Sequence, residues 1–426
     1  MAIHQRAGRG AAPLTGARPA GPLGRAAALL RDGSFRRLLL AAALFYVVRT
    51  GELAVLGWLM FDLTGSPSRV ALVGVVRMTP LLLFGLGIGA VVDRASGRRL
   101  VAFAHTLVLA AIGSVVVATA AGTATPLHLY LAVFASGIGF ATDFSAHRAL
   151  MAHLVPRTAL GTVAALDTTT LTGSYLIGPS LGGLAIATLG FTGAYALLLA
   201  LVGCSLALVM GVPRDVPRGP PARRLRLPQA LRAVAANRTV LAVLLITMVM
   251  NACAFPYQFM LPVIARDELA VGPVAYGLLG SASGLGALFS AFAAGAVPPR
   301  LAGRVFSGGS LLLLSCIFVF ALSRSYPLSV AVLFVGGLGF ASFAVLQTSV
   351  VLQGTDPALR GRALGAVTLG IGSQPFGALA LGGLAEAAGA PLAVAGMSGV
   401  GLILVLAVVV ALRLWRPPRP DGAAIT

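Results

Sequence analysis

Three charged side chains stand inside apolar runs of this 426-residue chain, and their spacing points to chemistry. The runs are about 20 residues long, the length of helix that crosses a bilayer core. Arg49 and Glu52 lie three apart in the first run, so a helix sets them on one face. Arg77 belongs to the second run. With 1.5 Å of rise per residue, Glu52 lies roughly 21 Å along its run and Arg77 roughly 20 Å above the same plane, so the three converge near mid-membrane. An isolated charge there costs on the order of 2.5–3.5 kcal/mol, which drives such groups to face the bundle interior and pair. Two readings follow. Either the pair is a static lock between helices, or Glu52 binds and releases a proton while Arg49 or Arg77 contacts a substrate or senses the charge on Glu52.

The elements that must hold these groups are membrane helices, because a chain that is 58% hydrophobic and 10% charged is too apolar for a soluble globule. Hydropathy gives twelve spans, at 38–61, 70–92, 100–121, 127–146, 163–187, 191–211, 240–264, 273–296, 305–323, 327–350, 364–386 and 391–412. Span 7 offers Asn251 and span 11 offers Gln374 at a depth matching that of Arg49 to within about 2 Å. With Phe45, Tyr46, Phe255, Tyr257 and Gln258 they describe a mixed polar and aromatic cavity for a bulky amphipathic molecule, although amides and aromatics also serve simply to pack helices. Apart from one long hydrophilic connection between the sixth and seventh spans, most connections are a few residues long, leaving no room for a soluble catalytic domain. The chain contains no Lys, so neither an ATP-binding phosphate loop nor a Schiff-base lysine is available. Cys204, Cys253 and Cys316 sit in separate apolar spans and read as buried free thiols. His147 has Asp143 four residues before it, but two ligands do not make a metal site, and no metal or cofactor is expected.

A net charge of +19 invites nucleic acid as a partner, yet the placement of the charge argues for lipid. All 31 basic residues are Arg. With the N-terminus in the cytoplasm, 26 fall on that side, Arg49 and Arg77 fall within the membrane, and only Arg69, Arg266 and Arg324 fall outside. This asymmetry sets both termini in the cytoplasm of a multi-pass cell-membrane protein. The expected organisation is a disordered cytoplasmic tail over 1–34, a six-helix half over 35–211, a cytoplasmic linker over 212–237 rich in Arg and Pro, a second six-helix half over 238–413 and a tail over 414–426.

The halves repeat one another. Gly137-Ile-Gly-Phe-Ala-Thr142 recurs 200 residues on as Gly337-Leu-Gly-Phe-Ala-Ser342, and Leu181-Gly-Gly-Leu-Ala185 recurs as Leu381 to Ala385. Same-direction duplication in a membrane chain is the pattern of a transporter whose halves rock about a central site.

The loop after span 2 reads Gly89-x-x-x-Asp93-Arg94-x-x-x-Arg98-Arg99. Together with the two six-span halves it gives the chain a resemblance to the major facilitator superfamily. Leu63-Thr-Gly-Ser-Pro67, Leu154-Val-Pro156, Gly178-Pro-Ser-Leu-Gly-Gly183, Leu261-Pro-Val-Ile-Ala-Arg266, Tyr276-Gly-Leu-Leu279 and Leu359-Arg-Gly-Arg362 resemble, more narrowly, the exporter branch with the macrolide efflux proteins and the enterobactin exporter. The resemblance implies twelve transmembrane helices in an all-α fold, alternating access, and span 11 as the neighbour of Asp93. In this reading Asp93 with Arg94, Arg98 and Arg99 forms a latch at the cytoplasmic face, and Asp143, Arg148 and Asp167 either extend it or are ordinary snorkelling charges. Gly178, Pro179, Gly182 and Gly183 interrupt span 5 and are similar to the motif of proton antiporters in this superfamily, which tilts the direction to export. Glu52 departs from the Asp expected in this branch, and Pro298-Pro299 replaces the acid in the second-half loop.

The resulting expectation is a secondary active transporter, a proton-coupled exporter of an amphipathic small molecule, monomeric in the lipid bilayer. The alternatives are an importer or lipid flipper of the same fold and, from another class, a membrane-embedded enzyme. The topology is testable directly. In a background without the native cysteines, Ser66→Cys and Ser325→Cys react with an impermeant maleimide added outside, and Ala222→Cys does not. The opposite labelling pattern inverts the orientation.

Overall fold

The structure, a computed structural model, describes residues 22–92, 96–213, 237–294, 297–355 and 359–412. Among these, ten helices are long and apolar enough to cross a membrane. One of them, Leu160–Met210, turns back at Gly190 and so makes two crossings. A further crossing is divided between two shorter helices. The membrane helices are therefore α1 (Gly33–Thr64), α2 (Pro67–Val92), α3 (Gly97–Ala120), α4 (Pro126–His153), α5 and α6 (160–189 and 191–210), α7 (Arg238–Glu268), α8 (Pro273–Ala294), α9 (Pro299–Leu322), α10 (Tyr326–Gln353), α11 (Arg360–Ile371 and Gln374–Ala388) and α12 (Ala390–Ala411).

Local chemistry sets the ends. Asp32 caps α1 by accepting from Phe35 N at 2.7 Å, and Gly65 closes its other end in the left-handed region at φ 60°. Thr125 caps α4 immediately before Pro126, and Asn237 caps α7 through Thr239 N and Val240 N. Two elements differ from the sequence reading. A helix forms at Pro22–Arg31 inside the predicted disordered tail, whose residues 1–21 lie outside the described residues. Helix α4 runs on to His153, past the end of the apolar run near 146, with Asp143 and His147 turned inward and buried. Residues 214–236 of the linker and the segment after 412 also lie outside the described residues. Of the thiols read as buried, Cys316 is buried, Cys253 is half-buried and Cys204 is exposed.

The duplication is visible in packing. A Cβ at Gly137 would strike the Arg77 carbonyl, and one at Gly337 the Ser283 carbonyl, so the same glycine closes α4 on α2 and α10 on α8. Gly139 and Gly339 likewise bring α4 onto α3 and α10 onto α9. The halves meet along α2 with the second part of α11, and along α5 with α8, one contact made twice by a pseudo-twofold relation. The register differs from the repeated Leu-Gly-Gly-Leu-Ala text. Gly178 lies on α1 and Gly377 on α7, Gly183 lies on α8 and Gly382 on α2, and Gly190 and Gly389 take positive φ at the turns. Each of these pairs is 199 apart, not 200, so the spatial partner of Gly183 is Gly382 and the sequence echo is one residue out of step.

Polar contacts between the halves fall from mid-membrane to the end that carries Asp62. Ser281 Oγ donates to Leu176 O, Tyr276 Oη donates to Ala54 O at 3.2 Å, and Arg266 pairs with Asp62 at 2.9 Å. Glu386 accepts from Ser66 Oγ at 3.1 Å and from Ser68 N at 3.3 Å. These contacts close the Asp62 end of the bundle. The one-residue register makes a sharp test: Gly382→Val overpacks the α2 crossing and costs about 1–3 kcal/mol, whereas Gly383→Val, with open space around it, leaves thermal unfolding in detergent unchanged.

Candidate functional site

Glu52 sits in α1 at 5% exposure, and both of its oxygens are used. Arg77 Nη1 donates to Oε2 at 3.2 Å, and Ser136 Oγ donates to Oε1 at 2.8 Å. The other terminal nitrogen of Arg77 donates to Arg49 O at 2.8 Å, tying α2 to α1 at two points. The sequence reading of a three-residue cluster is thus met in part. Arg77 binds Glu52, while the Arg49 guanidinium turns away and lies over the Phe140 ring, 3.1 Å from its centroid. Thr50 Oγ1 donates to Ser174 O at 2.8 Å and holds α1 against α5 beside Gly178 and Pro179. The interruption expected there from the sequence does not occur, because a proline within a membrane helix removes one hydrogen bond without ending the helix. The helix runs on through Gly178, Pro179, Gly182 and Gly183 and breaks at Gly190.

In front of this cluster, between the halves, lies a cavity of about 260 Å³. Arg49 and Arg77 form its wall on the first half, and Asn251, Gln258, Gln347 and Gln374 supply amides from the second. Tyr175, Phe255, Phe340 and Phe343 add aromatic faces. No carboxylate is among the described residues that line it. Backbone breaks present the amides. Helix α7 passes through a π-turn at Met250–Ala254, where Phe255 N bonds back to Met250 O, just before Pro256. Helix α11 stops at Ile371 and restarts at Gln374, because Pro375 lacks the N–H that would bond Ile371 O and its ring would clash with that carbonyl. Asn251 Nδ2 donates to Thr247 O at 2.9 Å and Gln347 Nε2 to Thr247 Oγ1 at 2.6 Å, which fixes both amides at the cavity edge. Irregular backbone at this depth is tolerated where it lines a cavity.

Tyr257 lines adjoining space with Gln258, Tyr276 and Ser283 rather than the main cavity. Tyr46, expected on the cavity wall, is fully buried elsewhere, its hydroxyl donating to Asp167 Oδ1 at 3.0 Å. Phe45 is likewise removed, stacked on His105 with centroids 4.2 Å apart. Asp143 and Asp167, open to a reading as snorkelling surface charges, are buried. Arg148 Nε donates to Asp167 Oδ2 at 2.8 Å, and His105 joins Asp143 at 3.0 Å. His105 was not singled out from the sequence. Its signal was periodicity, since it falls on the α3 stripe of Val101, Ala104, Val108 and Ile112, all buried. Among the described residues no group of His, Cys, Asp and Glu is arranged to hold a metal.

Of the gate residues, Asp93 and Arg94 lie outside the described residues, and Gly89 is in the last turn of α2. Arg98 is buried and donates to Met210 O at 2.7 Å, binding the start of α3 to the end of α6, while Arg99 is exposed. Gly182 packs on Gly51 and Val55 of α1, and Gly183 on Gly277 of α8.

Comparison with known proteins agrees with this architecture. Residues 25–422 match the family model described as transmembrane secretion effector. The multidrug efflux pump Tap of Mycobacterium tuberculosis is 28% identical over 374 residues, covering 83% of this chain and 87% of that protein, and the Tap protein of Mycobacterium bovis gives the same values. The nucleoside transporter NupG has the same fold, with TM-score 0.69 at 16% identity over 90% of this chain and 99% of that one. So does a bacterial homolog of the human lysosomal transporter Spinster in an inward-facing, unoccupied conformation, with TM-score 0.69 at 13% identity over 94% and 97%.

The pairing of Arg77 with Glu52 predicts unequal costs. Arg77→Gln leaves a buried carboxylate without its cation and destabilises by about 3–5 kcal/mol. Arg77→Gln combined with Glu52→Gln recovers much of that loss, read as the melting temperature of the purified protein and analysed as a double-mutant cycle.

Proposed function

The chain belongs to the transmembrane secretion effector family of major facilitator transporters, and from that premise we propose that it is a proton-coupled exporter of amphipathic small molecules. The observation that carries the reading is a buried carboxylate, Glu52, set directly behind a cavity that no acid among the described residues lines, at the junction of two repeated halves. Its cation, Arg77, is itself part of the cavity wall. A ligand that engages Arg77 competes with Glu52 for the same guanidinium. A carboxylate losing its cation in a dry site takes up a proton, and one regaining it gives the proton back. That exchange is what an antiporter requires, and it needs no moving part beyond one hydrogen bond.

The surrounding residues have matching parts in this reading. Arg49, whose charge meets only the Phe140 ring among the described contacts, receives an electron-rich part of the substrate. Asn251 and Gln374 offer hydrogen bonds, and the aromatic faces take the apolar body. The polar contacts that close the Asp62 end break when the halves rock, and Gly178, Pro179, Gly182 and Gly183 form the smooth surface on which α5 turns against α1 and α8. Asp93, with Arg94, Arg98 and Arg99, latches the opposite face. With both termini cytoplasmic, the Asp62 end faces outward, and the conformation seen is closed to the outside. The protein then works as a monomer in the cell membrane.

Glu52→Gln keeps shape and hydrogen bonding but cannot release a proton. Using a compound picked from an accumulation panel in cells with and without the protein, reconstituted vesicles with an imposed pH gradient separate the modes. The variant loses uphill efflux and keeps downhill exchange of that compound. Concentration against the gradient at the wild-type level by Glu52→Gln reduces the residue to a structural partner of Arg77.

A further inference from the structure

Three titratable groups that the Glu52 cycle does not use are enclosed within the first half. His105 of α3 and Asp143 and His147 of α4 all have 0% exposure. His105 Nε2 is 3.0 Å from Asp143 Oδ1, and His147 Nδ1 is 3.7 Å from the same oxygen. Asp143 Oδ2 and both ring nitrogens of His147 have no hydrogen-bond partner among the described residues. Such groups are rare in a folded protein, and each calls for a reason.

The hydrogen count around His105 supplies one. Ser205 Oγ is 2.7 Å from Ala41 O, a carbonyl that can only accept, so the single hydroxyl hydrogen of Ser205 is committed there. Ser205 Oγ also lies 3.2 Å from His105 Nδ1, and the hydrogen in that contact must then come from the ring. With Nδ1 donating, a neutral imidazole would present the bare lone pair of Nε2 to an ionised Oδ1 at 3.0 Å, a repulsive contact in a site without water. The contact is attractive only with a hydrogen in it, carried by Nε2 beside a carboxylate or by Oδ1 beside a neutral ring. Both forms hold one proton more than a neutral imidazole with an ionised carboxylate.

We propose that the His105–Asp143–His147 cluster is a second proton-binding site, loaded in the conformation seen and separate from Glu52. The site stands on hydrogen-bond geometry alone, and only its use in transport rests on the exporter reading. His147, one helical turn beyond Asp143 and unpartnered, is the group that passes the proton on. The charged and titratable groups facing the cluster are Tyr46 from α1, Arg148 from α4 and Asp167 from α5. Arg148 and Asp167 line a second cavity of about 260 Å³, and Arg148 is 41% exposed on its side chain. A proton entering by that cavity meets Asp167 on its wall, and His147 lies within the electrostatic reach of Asp167 and Arg148. Helix α4 thereby carries both sites on one stripe: Ser136 on Glu52, Phe140 under Arg49, then Asp143 and His147, with the Arg49 cation standing between the two sites.

The test needs no substrate. Infrared spectra of the full-length protein in liposomes at about pH 7.5, with histidine-selective ¹⁵N magic-angle-spinning NMR, report whether a buried carboxyl or an imidazolium carries the proton. Wild type and Glu52→Gln both show it, and Asp143→Asn, whose amide donates to Nε2 and satisfies His105 without a surplus proton, does not. On transfer to D₂O the signal exchanges in wild type, and His147→Leu keeps the signal but slows its exchange by at least about tenfold. A neutral His105 beside an ionised Asp143 in wild type overturns the site. A proton that is present but does not exchange in wild type, or exchanges as fast in His147→Leu, makes the cluster a structural hydrogen bond and overturns its role as a path.

Discussion

A charge in the middle of a bilayer has no water to turn to, and the first half of this molecule is organised around meeting that condition for Glu52. One oxygen takes the Arg77 guanidinium and the other the Ser136 hydroxyl, so helices α1, α2 and α4 must meet at one level. Gly137, the residue after Ser136, is what permits it. With any side chain there, α4 would strike the Arg77 carbonyl and Ser136 would stand off from the carboxylate. Backbone approach and charge neutralisation are one construction.

The second half repeats the approach without the charge. Gly337 closes α10 on α8 as Gly137 closes α4 on α2, yet the polar contribution of this half comes from amides exposed at interruptions of α7 and α11. The two halves thus bring different chemistry to a shared cavity. On one wall stand Arg77, paired with Glu52, and Arg49, laid on the Phe140 ring, and on the other stands locally opened backbone with Asn251, Gln258 and Gln374.

Closure at one end relies on small residues more than on ions. The Arg266–Asp62 pair is half exposed on both sides, and such pairs contribute about 1 kcal/mol or less. Close contact of Gly183 with Gly277 and of Gly382 with Ala71 sets the distance between the halves, and the Ser180–Ser281 hydrogen bond fixes their register. Interfaces of this kind are held by van der Waals contact between closely approaching backbones.

The sequence by itself determined the class of protein and most of its frame. Runs of about 20 apolar residues and charges that need partners in lipid are forced by the bilayer, and with a repeat near 200 residues they led to twelve crossings, two related halves and a cluster of Arg49, Glu52 and Arg77, of which the Arg77–Glu52 pair formed. Only the tertiary structure decided what depended on rotation about helix axes and on contacts between distant segments. Tyr46 and Arg49 lie three apart on α1 and so share a face, yet the Tyr46 hydroxyl went to Asp167 while Arg49 went to the cavity, a division set by which neighbouring segment each side chain met. His105 found Asp143 across 38 residues of chain, a distance no local pattern reports. The repeated Leu-Gly-Gly-Leu-Ala text pointed to the wrong spatial partner because glycines in a row look alike in sequence, and only the neighbour each one touches tells them apart.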